Sequence, residues 1–334
     1  MTTFQALRLF ENTGGGPPDA RFVTMTEDEL SPGGVLIRVA YTSINYKDAL
    51  AAAGINRIIR DYPRIGGIDL TGTVARSEDP RFKAGDPVVV HGFGLGVDRD
   101  GGYSEYARID GDMVLHLPEG LSLFEAAALG VAGYTAALSV HWMEHNGLRP
   151  EAGPVLVTGA TGGVASVAID ILSGRGYAVT AMTGKADARD YLLSLGATEI
   201  VDPELAKPSA RPIESARWAG AVDSVGGEVL GWILKTLTPD GVAASFGNAG
   251  GAEFSGSVLP FILRGAKLIG INGNSPMDLR RIVWDKLAGA YRPRHLEQIA
   301  DVVTFDQVPD VMERMRDRRT RGRAVVRMTG AGAG

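Results

Sequence analysis

The stretch Val155-Leu-Val-Thr-Gly159-Ala-Thr161-Gly162-Gly163-Val164-Ala165 sets an apolar run directly before glycines and then a helix-compatible segment. That layout suits the pyrophosphate of a dinucleotide. Gly159 lets the chain turn sharply, Gly162 lets bare backbone approach, and the unpaired N–H groups of a helix start face the charge. Ala165 takes the third position of the fingerprint, which tolerates alanine. At the end of the next strand, about 20 residues further on, an NAD site usually carries an acidic side chain for the ribose 2′-hydroxyl. Here the chain reads Met182-Thr183-Gly184-Lys185, with Arg189 and Tyr191 close behind. A hydroxyl and two cations suit a 2′-phosphate, so NADPH is expected over NADH. The competing reading makes Lys185 and Arg189 solvated charges on a helix start.

These residues need a parallel sheet to position them. After the glycines, residues 163 to 175 are small and apolar enough for a helix packed on a sheet, ended by Gly174 or Gly176. Tyr177–Met182 reads as the second strand, Asp187–Leu195 as a helix, Glu199–Val201 as a third strand and Ala221–Asp223 as a fourth. Gly241–Phe246 and Lys267–Ile271 complete a six-stranded, doubly wound Rossmann sheet with right-handed crossovers. Ser224 and Val225, in the segment 224–227, and Phe246, Gly247 and Asn248, in the segment 246–250, then fall at the carboxyl edge, where such sheets bind ligands.

The first 120 residues follow a different pattern. Val35, Ile37, Val39 and Tyr41 alternate as in a strand, and Gly66–Val74 and Asp86–Val90 suggest further strands, so this part is mostly β. The glycine-rich segment Gly92–Gly102 is a loop that could lie against a ligand or be a plain connection. Ser122 and Glu125 form a capping box for a helix over 122–138, which opens the second domain. The tail after residue 272 is expected to rejoin the first part. This gives residues 1–122 and 273–334 as one domain and 123–272 as the other, with an active site in the cleft between them.

Bulk properties narrow the function classes. At 334 residues the chain exceeds one ordinary core. A net charge of −5 with no long basic block argues against nucleic acid as a partner. No apolar run is read as a membrane span and the first residues lack a signal-like pattern, so a cytoplasmic protein is expected. The absence of cysteine excludes disulfides and thiolate metal sites. His141-Trp-Met-Glu144-His145 matches the HxxEH pattern of some zinc hydrolases, but no third ligand is evident and both histidines read as surface residues. His91, His116 and His295 are scattered, and read as structural or solvated.

Six ordered segments carry a resemblance: Ser43-Ile-Asn-Tyr-Lys-Asp-Ala-Leu50, Gly67-Ile-Asp-Leu-Thr-Gly72, Gly101-Gly-Tyr-Ser-Glu-Tyr-Ala107, Thr158–Ala165, Trp218–Gly227 and Pro260-Phe-Ile-Leu-Arg-Gly265. In these the chain resembles the zinc-free medium-chain dehydrogenases/reductases, and most closely the branch of quinone oxidoreductases and acryloyl-CoA reductases. The resemblance implies an α/β protein with a GroES-like, mostly-β catalytic domain and a Rossmann cofactor domain. It also implies NADPH dependence without metal, and a homodimer joined through the cofactor domains. Where zinc-dependent relatives have Gly-His-Glu, this chain has Gly67-Ile68-Asp69, so the histidine ligand is missing as well. After Pro260–Gly265 the family commonly continues to Ile-Asp-Ser, and this chain has Ile271-Asn272-Gly273.

The implied chemistry is hydride transfer to the β-carbon of an electron-poor alkene and protonation at the α-carbon. The resemblance places Asn45, Tyr46, Lys47 and Asp48 beside the nicotinamide. Tyr46 is then the candidate to hydrogen-bond or protonate the developing enolate, Lys47 supplies positive charge, and Asp48 holds either of them. The competing reading has Asp48 capping a helix and Lys47 solvated. Thr135 lies on a helix that in relatives runs beside the nicotinamide phosphates. Arg264 and Arg323 are candidates for cofactor or CoA phosphates, and Arg57, Arg60 and Arg64 for a CoA handle. The leading expectation is an acryloyl-CoA-type reductase. Beside it stand a quinone or enone reductase, a protein that binds NADPH without turnover, and the metallohydrolase.

Overall fold

The computed structural model describes residues 3–207 and 209–328. In chain order the elements are β1 (Thr3–Phe10), β2 (Asp19–Thr26), β3 (Val35–Ile44), α1 (Tyr46–Ala52), β4 (Arg64–Ile65), β5 (Asp69–Ser77), β6 (Pro87–His91), β7 (Tyr106–Ile109) and β8 (Leu115–His116). Then come α2 (Leu123–His145), β9 (Val155–Thr158), α3 (Gly163–Gly174), β10 (Val179–Met182), α4 (Arg189–Ser194), β11 (Glu199–Val201), β12 (Trp218–Asp223), α5 (Gly227–Thr236) and β13 (Leu237–Ser245). The chain closes with α6 (Leu259–Arg264), β14 (Lys267–Gly270), α7 (Met277–Ala288), α8 (Leu296–Ile299), β15 (Ala300–Thr304), α9 (Val308–Arg316) and β16 (Arg323–Arg327).

Two compact units result. The first holds residues 3–131, Pro276–Arg281 and residues 300–328; the second holds Ala132–Ser275 and Ile282–Ile299. In the first unit, strands order as β2-β1-β4 and as β15-β16-β3-β5-β6-β8, with β7 also paired to β3. Val35, Ile37 and Val39 are buried as their spacing predicts, but Leu36 between them is buried too and Tyr41 only partly so, and β3 delivers Ser43, Ile44 and Asn45 at its end. The loop 92–102 is not a plain surface connection. Leu95–Val97 and Asp100–Gly102 are buried, and Gly101, Gly102 and Tyr103 donate their N–H groups to Ile65, Gly67 and Gly66 at 2.9–3.0 Å.

In the second unit the order is β11-β10-β9-β12-β13-β14, with every pair parallel. All four residues of β9 are buried, which is why this strand is a continuous apolar run rather than an alternating one. Growth in both directions from β9 puts the switch point between β9 and β12, directly beyond which the glycine turn lies.

Several boundaries differ from the sequence expectation. The second strand starts at Val179 because Tyr177 turns away, its hydroxyl donating to Glu144 at 3.1 Å. The next helix starts at Arg189 after a 3₁₀ turn over Ala186–Ala188. Residues 282–299 stay with the second unit instead of rejoining the first. Val283, Trp284 and Leu287 are fully buried, and Asp170 on α3 accepts the N–H groups of Arg294 and His295 at 2.8 Å each. Contrary to the expectation of no membrane-length apolar run, α2 is 23 residues long and apolar enough to cross a bilayer. Packing explains that composition, since 78% of its most apolar window is buried inside the protein.

The capping box at the start of α2 forms as expected: Ser122 N–H and hydroxyl both meet Glu125 at 2.9 Å, and Glu125 N–H returns to the Ser122 hydroxyl at 3.1 Å. Within α2, Gly130 breaks the helical path at φ 47°, ψ −149°. A Cβ there would come within 2.5 Å of the Asp69 carboxylate, so glycine is required on two counts.

Candidate functional site

Asp223, the last residue of β12, organises the carboxyl edge of the second unit. Its fully buried carboxylate accepts the Thr158 hydroxyl at 2.7 Å and the N–H groups of Val225 and Gly226 at 3.1 and 3.0 Å. Ser224 donates its N–H to the Thr158 hydroxyl at 3.0 Å and its own hydroxyl to the Thr158 carbonyl at 2.9 Å. β9 and β12 therefore end bolted together. Above the bolt Gly159 turns at φ 58°, and a side chain there would run into the Ser224 hydroxyl.

Gly162 is the exposed N-cap of α3. Thr161 precedes it, 7% exposed, and Gly163 and Val164 open the helix. Their N–H groups lie in the first turn, where no intrahelical acceptor exists. Bare backbone, positive φ and a helix start of twelve residues form a cradle that fits a dinucleotide pyrophosphate. The loops after β12 and β13 close on each other. Gly226 and Gly227 take φ 70° and 54°, Gly250 donates to Val225 at 2.7 Å, and Phe246 N–H donates to the Asp223 carbonyl at 3.2 Å. A Cβ on Gly247 would strike the Ser224 backbone, while Asn248 is exposed.

At the end of β10, the strand beside β9, the Thr183 hydroxyl accepts Lys185 N–H at 3.2 Å, and Arg189 opens α4 exposed. Tyr191 does not join them. It is buried, and its hydroxyl donates to Ser166 on α3 at 2.9 Å. Thr135 is 7% exposed on α2, with its hydroxyl facing the Gly273 segment.

In the first unit, Asn45 and Asp48 make a capping box for α1, with Asp48 accepting Asn45 N–H at 2.9 Å. The other Asp48 oxygen accepts Ile68 N–H at 3.1 Å. Asp48 thus holds the start of the helix and the turn before β5, and the expectation that it holds Tyr46 or Lys47 is corrected. Burial first and the nearby Asp69 charge second push its carboxyl up to about 7, against the pull of hydrogen bonds from Asn45 and Tyr103. Tyr46 and Lys47 occupy the first turn and are exposed. They are the two members of the quartet presented outward.

Sequence reasoning missed the network beneath them. Asp69, 2% exposed, accepts Ser43 N–H at 2.9 Å, the Ser43 hydroxyl, the Asn45 amide at 3.0 Å and Val131 N–H at 3.1 Å. Arg323, expected to meet a phosphate, is 4% exposed within this network. It donates to the Ala128 carbonyl at 3.0 Å, to Asn45 Oδ1 at 2.9 Å and to the Ser43 hydroxyl, with Asp69 at 3.8 Å. Burial lowers its pKa while Asp69 and Asp48 raise it. Tyr103, 1% exposed, is pushed well above the ordinary tyrosine value by burial and by Asp48. The signal present in sequence was an acidic residue, Asp69, in place of the Glu of zinc relatives; nothing local paired it with residue 323.

Other candidates are committed elsewhere. Arg264 clamps carbonyls of Lys235, Leu237 and Glu214 inside the second unit. Arg64 lies 3.6 Å from Asp100, whereas Arg57 and Arg60 are exposed. Glu144 of the HxxEH pattern accepts Arg175, Tyr177 and Tyr291. His141 is half-buried rather than a surface residue, and accepts Lys286 at 2.8 Å; burial and that ammonium lower its pKa. His91 is buried against Arg280, His116 stacks on Phe82, and His295 meets Asp170. Among the described residues no three His, Cys, Asp or Glu side chains gather to hold a metal ion.

Comparisons with known proteins agree with this two-part build. Residues 31–119 match the alcohol dehydrogenase GroES-like domain, and residues 163–289 match the family described as zinc-binding dehydrogenase. The chain is 45% identical over 330 residues to "Putative quinone oxidoreductase YhfP" of Bacillus subtilis, covering 98% of this chain and 99% of that protein. A crystal structure of that protein with NAD bound has a TM-score of 0.95, covering 98% of this chain and 100% of the other. Identity to acrylyl-CoA reductase AcuI of Ruegeria pomeroyi is 41% over 325 residues, covering 97% and 98%. The yhdH oxidoreductase of Salmonella enterica in complex with NADP is 40% identical with a TM-score of 0.94, covering 97% and 99%. The chain belongs to the medium-chain dehydrogenase/reductase family, in the zinc-free branch shared by quinone oxidoreductases and acryloyl-CoA reductases.

Proposed function

We propose that this protein is an NADPH-dependent reductase of conjugated carbonyl compounds, with quinones and enones as the broad acceptor class. The observation that carries the proposal is the glycine cradle at the switch point of a six-stranded parallel sheet. Thr183, Lys185 and Arg189 are the residues that would receive a 2′-phosphate, which supports NADPH over NADH. When bound, the cofactor supplies a hydride. The chain's own residues hold the acceptor, limit water and manage one proton. Tyr46, presented at the start of α1, donates to the carbonyl oxygen on which negative charge collects, and Lys47 adds positive charge beside it. For an alkene acceptor, hydride adds at the β-carbon, the π pair moves to the oxygen, and a proton arrives at the α-carbon as the carbonyl re-forms. For a quinone, one hydride and one proton give the hydroquinone.

A narrower reading, a short 2-enoyl thioester of the acryloyl-CoA type, is favoured by the 41% identical relative and by the exposed Arg57 and Arg60, which suit CoA phosphates. Steady-state NADPH oxidation with a benzoquinone, a free enone and acryloyl-CoA separates the two by kcat/KM. A preference of about tenfold for the thioester establishes the narrower reading. Preference for the quinone or enone discards it, and absence of turnover with all three overturns the reductase. In the same assay Lys185→Ala is expected to lower the NADPH to NADH preference by about tenfold, and an unchanged ratio removes Lys185 from the 2′-phosphate site.

A further inference from the structure

Asn146 and Asn272 are each followed by glycine. In such a pair the glycine nitrogen can attack the asparagine side-chain carbonyl carbon, because no Cβ crowds that nitrogen and the glycine backbone turns easily. The fold treats the two pairs oppositely. Asn146 follows the end of α2, and its side-chain amide donates to the Trp142 carbonyl at 2.8 Å. Gly147, at φ 101°, donates its N–H to the Glu144 carbonyl at 3.0 Å, and Leu148, 4% exposed, donates to the Met143 carbonyl at 3.0 Å. Both reacting groups of this pair are engaged until the end of α2 opens.

Asn272 lies in the connection that follows β14 and is exposed. Its Oδ1 accepts Asn274 N–H at 2.9 Å, which folds the side chain forward over its own peptide to Gly273 and draws electron density from the carbonyl carbon. Gly273 is not held at positive φ, and a Cβ there would meet only the Thr135 hydroxyl, at 3.9 Å. Backbone geometry demands glycine at 147 and does not demand it at 273.

We propose that Asn272 is a site of spontaneous deamidation that makes the end of β14 acidic. The Gly273 nitrogen bonds to the Asn272 side-chain carbonyl carbon and gives up its proton, and the side-chain nitrogen takes that proton and leaves as ammonia. A succinimide results. One water then opens either carbonyl of the ring, leaving aspartate, or isoaspartate with the main chain running through the former side chain. One water is consumed, one ammonia is released, and nothing is oxidised or reduced. The new carboxylate lies at the carboxyl edge of the parallel sheet, next to the glycine that faces Thr135. Its effect rests on the reading of that edge as the cofactor site: the added charge opposes the cofactor phosphates and weakens NADPH by about threefold.

Peptide mass mapping of the full chain, aged in mildly alkaline buffer with and without denaturant, tests the site. In the folded chain Asn272 is expected to convert at least about tenfold faster than Asn146, and the gap is expected to close in denaturant. Gly273→Ala, which the space and backbone there admit, is expected to slow conversion by about tenfold. Equal rates at the two pairs in the folded chain, conversion at Asn274 in place of Asn272, no conversion of folded Asn272 while the denatured chain converts, or an unchanged rate in Gly273→Ala would each overturn the site. NADPH titration before and after ageing tests the effect, with the aged Gly273→Ala chain expected to keep its affinity; unchanged affinity in the converted parent chain overturns that effect. A fresh chain that binds no NADPH overturns the cofactor reading and the effect together, while the site is judged by the mass map alone.

Discussion

Tyr46 and Asp48 sit two residues apart yet face different surroundings, and their expected variants differ accordingly. Tyr46 is 41% exposed, so Tyr46→Phe is expected to leave the melting temperature unchanged while lowering kcat by about 10²; a kcat equal to the parent would remove the hydroxyl from the proposed proton transfer. Asp48 is buried and its carboxyl lies at about 7, above its ordinary 3.8. The folded chain therefore keeps a proton that the unfolded chain releases between those two values. The stabilisation is full below 3.8, declines as pH rises, and is gone above about 7. Calorimetry should show the melting temperature falling from pH 5 to pH 8, and Asp48→Asn should flatten that slope. A slope identical in the variant would assign the titration to another group. The sequence alone showed Asp48 as a possible helix cap, but burial of the carboxyl depends on Ile68 and Tyr103, which are 20 and 55 positions away in the chain.

At the level of elements, two carboxylates do corresponding work. Asp223 ties β9 to β12 and the loop after β12, while Asp69 ties β3, the kink in α2 and Arg323 of β16. Asp223→Ala would leave the Thr158 hydroxyl and two N–H groups without their acceptor in a fully buried place. The expected cost is about 3 kcal/mol, together with weaker dinucleotide binding, measurable by denaturant unfolding and by cofactor titration. A loss below about 1 kcal/mol would show that water or backbone takes over the bonds. Strands and helices of the second unit were legible because their apolar runs and glycines are local signals, and β11 lies where expected. The ends of β10 and α4 were not, because Tyr177 and Ala186–Ala188 answer to tertiary partners and turn geometry.

For the whole molecule, the sequence resemblance implied a homodimer through the cofactor domains, and the surface of the second unit supports that proposal. β14 is an edge strand, and next to it Val258, Ile262 and Leu263 are 65%, 69% and 66% exposed. Such a patch is unusual on a surface that stays uncovered. Light scattering is expected to give twice the chain mass, and Ile262→Glu to give a folded species of single mass; a parent chain of single mass would reject the dimer. What the sequence determined by itself was whatever depends on near neighbours: the Rossmann sheet, the glycine turn with its helix start, the mostly-β first part, and the missing zinc ligands, since periodicity and backbone freedom are local properties. Tertiary structure decided the rest. Arg323 lies 254 positions from Asp69 and meets it only because β16 pairs with β3. Residues 282–299 join the second unit because Trp284 needs a core and the turn at Arg294 and His295 needs Asp170. Which side of a buried network a charge joins depends on long-range pairing and desolvation, and neither leaves a mark in local spacing.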